Sequence, residues 1–449
     1  MPAYLAPQVP DPVFIRSTSS SSMQQLIAKL EAVPDSPQNG LPSFIAAEAA
    51  AKALSSSRTV PGFRLHVQVG RWSFGSTFSP VAGNDWSWIS GQGAYKTVLT
   101  RYDSTATPVI AFDAGAPSGT FQDVPARLSD LSIIGPGNAA EAAGQSAVYV
   151  RSIGGFEMDH VHVSGNYRGV ELSASYAPVF LRNRFENTKG AAIHSADQSP
   201  NGFVSMSDKY FGCGNTNSEY AVQFDGGGAG LSFFGEDIEN CYGAHAYKNN
   251  HAILEAGGYM ETPTSTQGFY NLVGTNSGLT LLNKAYNGPI LIDNVVGGGL
   301  YDAYLYGSSS NPSSIQFGPK AYDFDLGRYF AQGNFTLTNY PPFWSPSLLN
   351  GWTVGAGGRL AGAKKTSTGV VYLRGRVTSG SGSSQNPIIS LDQRYIPREP
   401  LILACWYVAA SNGAMTRGPI LVHPNGNVVP QAATAPGDQI WLDGINYMP

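Results

Sequence analysis

The chain has 449 residues, a formal net charge of -4, only 13% charged residues, 53 glycines and 30 prolines. That length admits two or three domains, or one elongated solenoid with caps, and the Gly, Pro, Ser, Thr and Asn content suits short strands joined by turns and not long helices. A weak net charge without a basic run excludes the electrostatic footprint of a nucleic-acid or anionic-bilayer partner.

The opening MPAYLAPQVPDP lacks the basic start and apolar stretch of a signal peptide. The chain also contains no apolar run of about 18 residues, so neither ordinary secretion nor membrane insertion is expected. Cys213, Cys241 and Cys405 are too few, and odd in number, for a disulfide framework, and no CxxC suggests zinc. Folding in a reducing cytoplasm fits, with Cys213 and Cys241, about one repeat apart, as ordinary small buried residues.

Residues 1–62 read as an adaptor or helical cap. Met23, Leu26, Ile27, Leu30 and Val33 keep helical spacing, and Phe44 to Leu54 is an Ala-rich stretch that Pro42 and Ser43 would start. From residue 63 the rhythm becomes period two, with Leu65, Val67 and Val69 alternating with polar residues before Gly70, then Trp72 and Phe74. Trp88 to Gly93 followed by Thr97-Val98-Leu99 repeats the pattern of strand, glycine corner and strand.

The strongest signal follows. Phe156 and Val161, Phe180 and Phe185, Met206 and Phe211, and Phe233 and Ile238 form one apolar pair spaced five apart, recurring at intervals of 24, 26 and 27. A period in the twenties with slack means each unit is one solenoid turn, able to bury its apolar edge only against its neighbours. Second strands at Val148–Val150, Val170–Leu172, Ala192–His194 and Val222–Phe224 make this a parallel β-helix over 63–342, with Asn183, Asn187 and Asn240 at corners. Glu255 falls where the preceding coil has Phe233. It is either a buried acid with a raised pKa or, the preferred reading, the mark of a one-residue slip. Prolines and aromatics in NYPPFWSPSLLNGW interrupt the pattern, and 343–449 reads as a C-terminal antiparallel β-sandwich with Trp352, Trp406 and Trp441 in its core.

The VQVGRWSF strand, the ISGQG corner and the FLRNRFENTKGAAI coil resemble the pectate-lyase-like right-handed β-helix superfamily. LLNGW, GVVYLRGRV, ISLDQRYIP, ILVHPNGNV and WLDGINYMP resemble the C-terminal sandwich of bacteriophage tail fibres and tailspikes. Together these resemblances imply an all-β homotrimer of the virion tail, acting outside the cell. Its N-terminus would bind a tail or baseplate protein, and its β-helix would bind or cleave a bacterial surface polysaccharide, capsule or lipopolysaccharide, without a cofactor or metal.

Chemistry is sought in the outward ladders. Taking Val161, Phe185, Phe211, Ile238 and Met260 as inward puts His162, Glu186, Gly212, Glu239 and Glu261 in one outward column. Adjacent rungs about 4.8 Å apart place Glu239 and Glu261 near the separation of retaining glycosidases, and Glu186 and Glu239, two rungs apart, near the inverting limit. Gly212 would leave room for a sugar or water above Glu239. Glu239 is therefore the first catalytic candidate, then Glu261 and Glu186, with Asp237, Tyr259, Arg184, His162 and Tyr242 as binding groups. Trp86, Trp88 and Tyr247 are further stacking candidates. His160 and His162 share a strand face, with no third metal ligand near. Lyase or epimerase chemistry stays open through Arg184, Tyr210 and Tyr259, as do a binder without catalysis, a purely structural virion component, and a column that is simply solvated surface.

Overall fold

The computed structural model describes residues 62–449, apart from 68, 75, 81–85, 102–106, 116–125, 138–144, 197–199, 267, 339–342, 356–358, 367–368, 381–385 and 433. Among these residues the chain is all-β with no α-helix, and a short 3-10 turn lies at Gln393–Tyr395. The fold class is thus corrected to a parallel β-solenoid of about ten turns followed by antiparallel sheets, with no helical segment supported. The helices expected at residues 23–33 and 44–54 lie outside the described residues.

Three long parallel sheets form the solenoid. Sheet I begins at Gly62–His66, sheet II at Gly70–Phe74 and sheet III at Ile110–Asp113, and sheet II stacks eleven strands in strict chain order. Each coil visits the sheets in turn and pairs with the coil before and after it. Corners need left-handed backbone, and Asn187 (φ 51°), Asn240 (φ 53°) and Gly212 (φ 65°) supply it at three successive exits from sheet II.

One continuous core runs from Leu65 to Phe324. Its spine is a chain of rings, Phe156 on Phe180 at 5.9 Å, Phe180 on Phe203 at 5.4 Å, and Phe203 on Phe233 at 5.2 Å. Each fully buried phenylalanine contributes about 1.5–3 kcal/mol relative to an exposed one. A second core gathers Trp352, Val371, Leu373, Tyr395, Ile420 and Ile440 between a seven-stranded and a three-stranded antiparallel sheet. Trp406, expected inside, is 38% exposed and lies under the Arg417 guanidinium, while Trp441 is half-buried.

The solenoid interior is polar over successive coils from Ser205 to Lys284, and this overturns two sequence expectations. In sheet I, Phe180 pairs with Ser205 and then Phe233; in sheet II, Phe185 pairs with Tyr210 and then Ile238. The third repeat therefore turns Ser205 and Tyr210 inward, while Met206 and Phe211 are 45% and 42% exposed. A polar pair faces inward because carboxylates wait there. Ser205 donates to Asp208 at 2.7 Å, and the Tyr210 hydroxyl donates to Glu236 at 3.3 Å. Asp208 also accepts from the backbone N–H and side-chain amide of Asn183, at 2.6 and 3.0 Å. Burial pushes its carboxyl up to about 7.

The second expectation concerned Glu255, which pairs in register with Phe233 and is fully buried, so the strand does not slip. Its carboxylate accepts from Lys284 Nζ at 2.6 Å, Tyr270 at 2.8 Å and Tyr247 at 2.9 Å, and His245 Nδ1 lies 3.5 Å away. Burial alone would raise its pKa, but His245 and Lys284 outweigh burial and hold it below the ordinary value. Glu236 completes the cluster, with Oε2 3.0 Å from His245 Nε2 but off the hydrogen-bond axis. Tyr210 and Tyr247 are thus interior ligands of buried carboxylates, neither a lyase base nor a sugar platform.

Candidate functional site

The outward face of sheet II carries two columns either side of the inward Val163, Phe185, Tyr210, Ile238, Met260 and Tyr286. One column holds His162, Arg184, Lys209, Asp237 and Tyr259, and the other Ser164, Glu186, Phe211, Glu239, Glu261 and Asn287. The three glutamates share a column as the sequence spacing implies. Two of its other members differ from expectation. His162 moves to the neighbouring column because Val163, not Val161, is the inward residue of its strand. Phe211 takes the rung assigned to Gly212, which instead forms the left-handed corner just beyond. The expected gap above Glu239 is an exposed aromatic ring.

Glu239 and Glu261 occupy adjacent rungs in unlike surroundings. Burial, then the charge of Asp237 and a hydrogen bond shared with it, then the charge of Glu261, raise the Glu239 pKa, while Lys209 opposes. Lys209 Nζ itself lies 3.4 Å from Asp237. Glu261 accepts from the Tyr259 hydroxyl at 2.9 Å and from the Asn287 amide at 3.2 Å. Burial and the neighbouring Glu261 raise the Tyr259 phenol, keeping it a donor.

Glu186, two rungs away, faces one cation and a histidine. It accepts from His162 Nε2 at 2.9 Å and pairs with Arg184, and although burial raises its pKa, these bonds outweigh it and leave the carboxyl below its ordinary value. His162 is 6% exposed, and burial lowers its pKa below the ordinary histidine value despite Glu186. Its Nδ1 has no hydrogen-bond partner among the described residues. His160 does not share its face: it sits at a left-handed corner (φ 54°) and pairs with Asp130 at 3.0 Å.

Tyr242 stands apart from both columns, edge-on to Tyr220 at 5.6 Å on the turn toward sheet III. Trp88 lies on sheet I beneath the Arg127 guanidinium, 4.6 Å from ring centroid to carbon, and the Trp86 side chain is outside the described residues.

Two hollows flank the columns. One of about 660 Å³ follows the corners after sheet II and is lined by Asn187, Thr188, Lys189, Asn215, Thr216 and Asn240. These amides and hydroxyls are the groups that pair with sugar hydroxyls. The outward columns do not include this Asn/Thr row, in which Thr262 donates to Asn240 at 2.7 Å and Thr264 donates to Asn215 at 2.7 Å. The recurrence of Asn one residue after Glu186 and Glu239 was its visible trace. The other hollow, of about 400 Å³, opens beside His162 and Arg184.

No family model and no curated protein matches this chain. Solved structures do align with it. An endo-xylogalacturonan hydrolase from Aspergillus tubingensis is 11% identical over 68% of this chain and 93% of its own, with a TM-score of 0.46. The full-length tailspike protein 2 of an Escherichia coli O157:H7 bacteriophage is 10% identical over 93% of this chain and 62% of its own, with a TM-score of 0.42. The A-module of the Azotobacter vinelandii mannuronan C-5 epimerase AlgE6 is 13% identical over 70% of this chain and 97% of its own, with a TM-score of 0.40. At such identities no residue role passes from these proteins to this one.

Proposed function

We propose that sheet II binds a bacterial surface polysaccharide and hydrolyses it with retention of configuration, Glu239 acting as general acid and Glu261 as nucleophile. The observation that carries this reading is the contrast between two carboxyls on neighbouring rungs. Burial and the charge of Asp237 raise the pKa of Glu239, whereas Glu261 accepts hydrogen bonds from Tyr259 and Asn287 that orient it. Rungs about 4.8 Å apart match the separation of about 5 Å that a covalent glycosyl intermediate requires. Glu239 gives its proton to the glycosidic oxygen as Glu261 attacks the anomeric carbon. Glu239, now charged, then takes a proton from the water that cleaves the glycosyl ester.

Phe211, beside Glu239, offers a pyranose a stacking face, and the Asn/Thr row takes its hydroxyls. Glu186, saturated by Arg184 and His162, positions those groups and does not transfer the proton. The setting is the one the sequence resemblance implies: a homotrimeric tailspike or tail fibre attached to the virion by residues 1–62, with capsule or lipopolysaccharide as substrate and 343–449 driving assembly or receptor binding.

The test is chain length. Capsule and lipopolysaccharide preparations incubated with wild type are expected to shorten and gain reducing ends, and neither Glu239→Gln nor Glu261→Gln shortens them at a comparable rate. Full-length glycan after wild-type treatment across the panel overturns hydrolysis and leaves a receptor-binding fibre. A lyase or epimerase reading has one specific support, a histidine whose burial favours its neutral form beside the Arg184 cation. Ultraviolet-absorbing unsaturated ends in place of new reducing ends would decide for the lyase.

A further inference from the structure

The hollow of about 400 Å³ next to the glutamate column is lined by cations and an aromatic ring. Arg182, Arg184, Lys209, His160 and His162 contribute to its wall together with Tyr95, and among the described residues no carboxylate lines it. The Arg182, Arg184 and Lys209 side chains are 65%, 51% and 61% exposed, so their charges are available to a ligand. Their protein partners sit outside the lining: Asp159 takes Nε and Nη2 of Arg182, Glu186 takes Nε and Nη2 of Arg184, Asp237 faces Lys209, and Asp130 faces His160. Each guanidinium has five N–H donors in a planar fork, and those not directed at its carboxylate remain for a second anion.

Tyr95 is 62% exposed and holds a left-handed backbone (φ 72°), with its N–H donating to Ser132 at 2.9 Å. Its ring packs 4.7 Å from that of His162. A tyrosine fixed in this conformation and left open to solvent is a ready platform for a sugar face. The register fixes where that sugar lies. The cavity spans the rungs of Arg184 and Lys209, and Lys209 reaches Asp237 on the next rung, beside Glu239. One rung of about 4.8 Å is on the order of a single pyranose unit.

We propose that this cavity is a subsite for an acidic pyranose, a sugar carrying a carboxylate as hexuronates do, one or two units from the scissile bond. The proposal deepens the hydrolase reading and rests on it only for the claim that sheet II is the glycan-binding face. The ring stacks on Tyr95 while its carboxylate meets Arg182, Arg184 and Lys209.

Full-length Glu239→Gln protein would be titrated calorimetrically with oligosaccharides of alginate, polygalacturonate and hyaluronan and with acidic capsules, each beside its carboxyl-reduced form. At least one acidic glycan should bind about tenfold more tightly than its reduced form, with a preference that fades as NaCl rises. Arg182→Gln/Arg184→Gln, and separately Lys209→Gln, should erase or reduce that preference. Tyr95→Ala should weaken both forms alike, with unchanged melting curves verifying the fold of each variant. Equal affinity for the two forms, a preference that survives the double arginine variant, or no binding by any acidic member overturns the subsite. If wild type shortens a glycan without charge preference, hydrolysis stands and the subsite falls. If charge preference appears without shortening, the reverse holds.

Discussion

Replacing Lys284 by methionine tests the polar interior most directly. The ammonium is 1% exposed and lies 2.6 Å from Glu255 and 3.9 Å from Glu236, so its removal leaves two buried carboxylates facing each other across His245. Methionine keeps most of the volume, which makes the cavity contribution small beside the electrostatic one. Breaking a buried pair by removing one partner costs about 3–5 kcal/mol. For a body of this size that lowers the melting temperature by roughly 6–10 °C at about 2 °C per kcal/mol.

The pH dependence sharpens the test. In the wild type the Glu255 pKa is held below its ordinary value, so its contribution is present above the ordinary carboxylate range and is lost as pH falls through the folded value. Without Lys284 burial dominates, the folded pKa rises, and the penalty grows as pH climbs past the ordinary range. The gap between wild type and Lys284→Met should therefore be small near pH 4 and full near pH 8, measured by melting at one scan rate. Adding Glu255→Gln to Lys284→Met should recover much of the loss, a coupling read from the double-mutant cycle. A gap under 2 °C at pH 8, or one independent of pH, would refute the account of the interior.

Asp208 has the opposite linkage. Its folded pKa of about 7 stands above the ordinary 3.8, so the stability of the protonated form is lost as pH rises between them, and Asp208→Asn should gain on wild type by up to about 4 kcal/mol from pH 4 to pH 8; parallel melting curves would contradict it. Asp237→Asn removes a charge that, after burial, raises the Glu239 pKa, so the alkaline limb of the pH–rate profile should move to lower pH, and an unmoved limb would take the acid role from Glu239. Phe211→Ala should raise KM about tenfold with little change in kcat, as expected for a platform that holds substrate and transition state alike; a fall confined to kcat would count against stacking.

Much of the architecture was legible in the chain itself. Recurring apolar pairs, glycine and asparagine corners and the second set of strands describe coils stacked in parallel, because a unit of two dozen residues has no other way to bury its edge. The glutamate column followed, since parallel pairing converts an equal offset within each coil into a spatial row. Spacing alone misassigns register on two coils: an apolar face favours Met206 and Phe211 as inward, although Ser205 and Tyr210 have buried Asp208 and Glu236 to satisfy, and it favours Val161 where Val163 sits beside Phe185.

Local sequence could not show that the interior is polar there, because the partners that make burial tolerable lie on different coils, Lys284 on one and Glu255 and His245 on others. The same holds for the cationic hollow, whose wall draws Tyr95, His162, Arg184 and Lys209 from four different coils. Sequence determined the repeat and hence the ladder; tertiary packing alone decided which residue of each rung faces the core, because inward and outward positions differ by one residue and only long-range partners select between them.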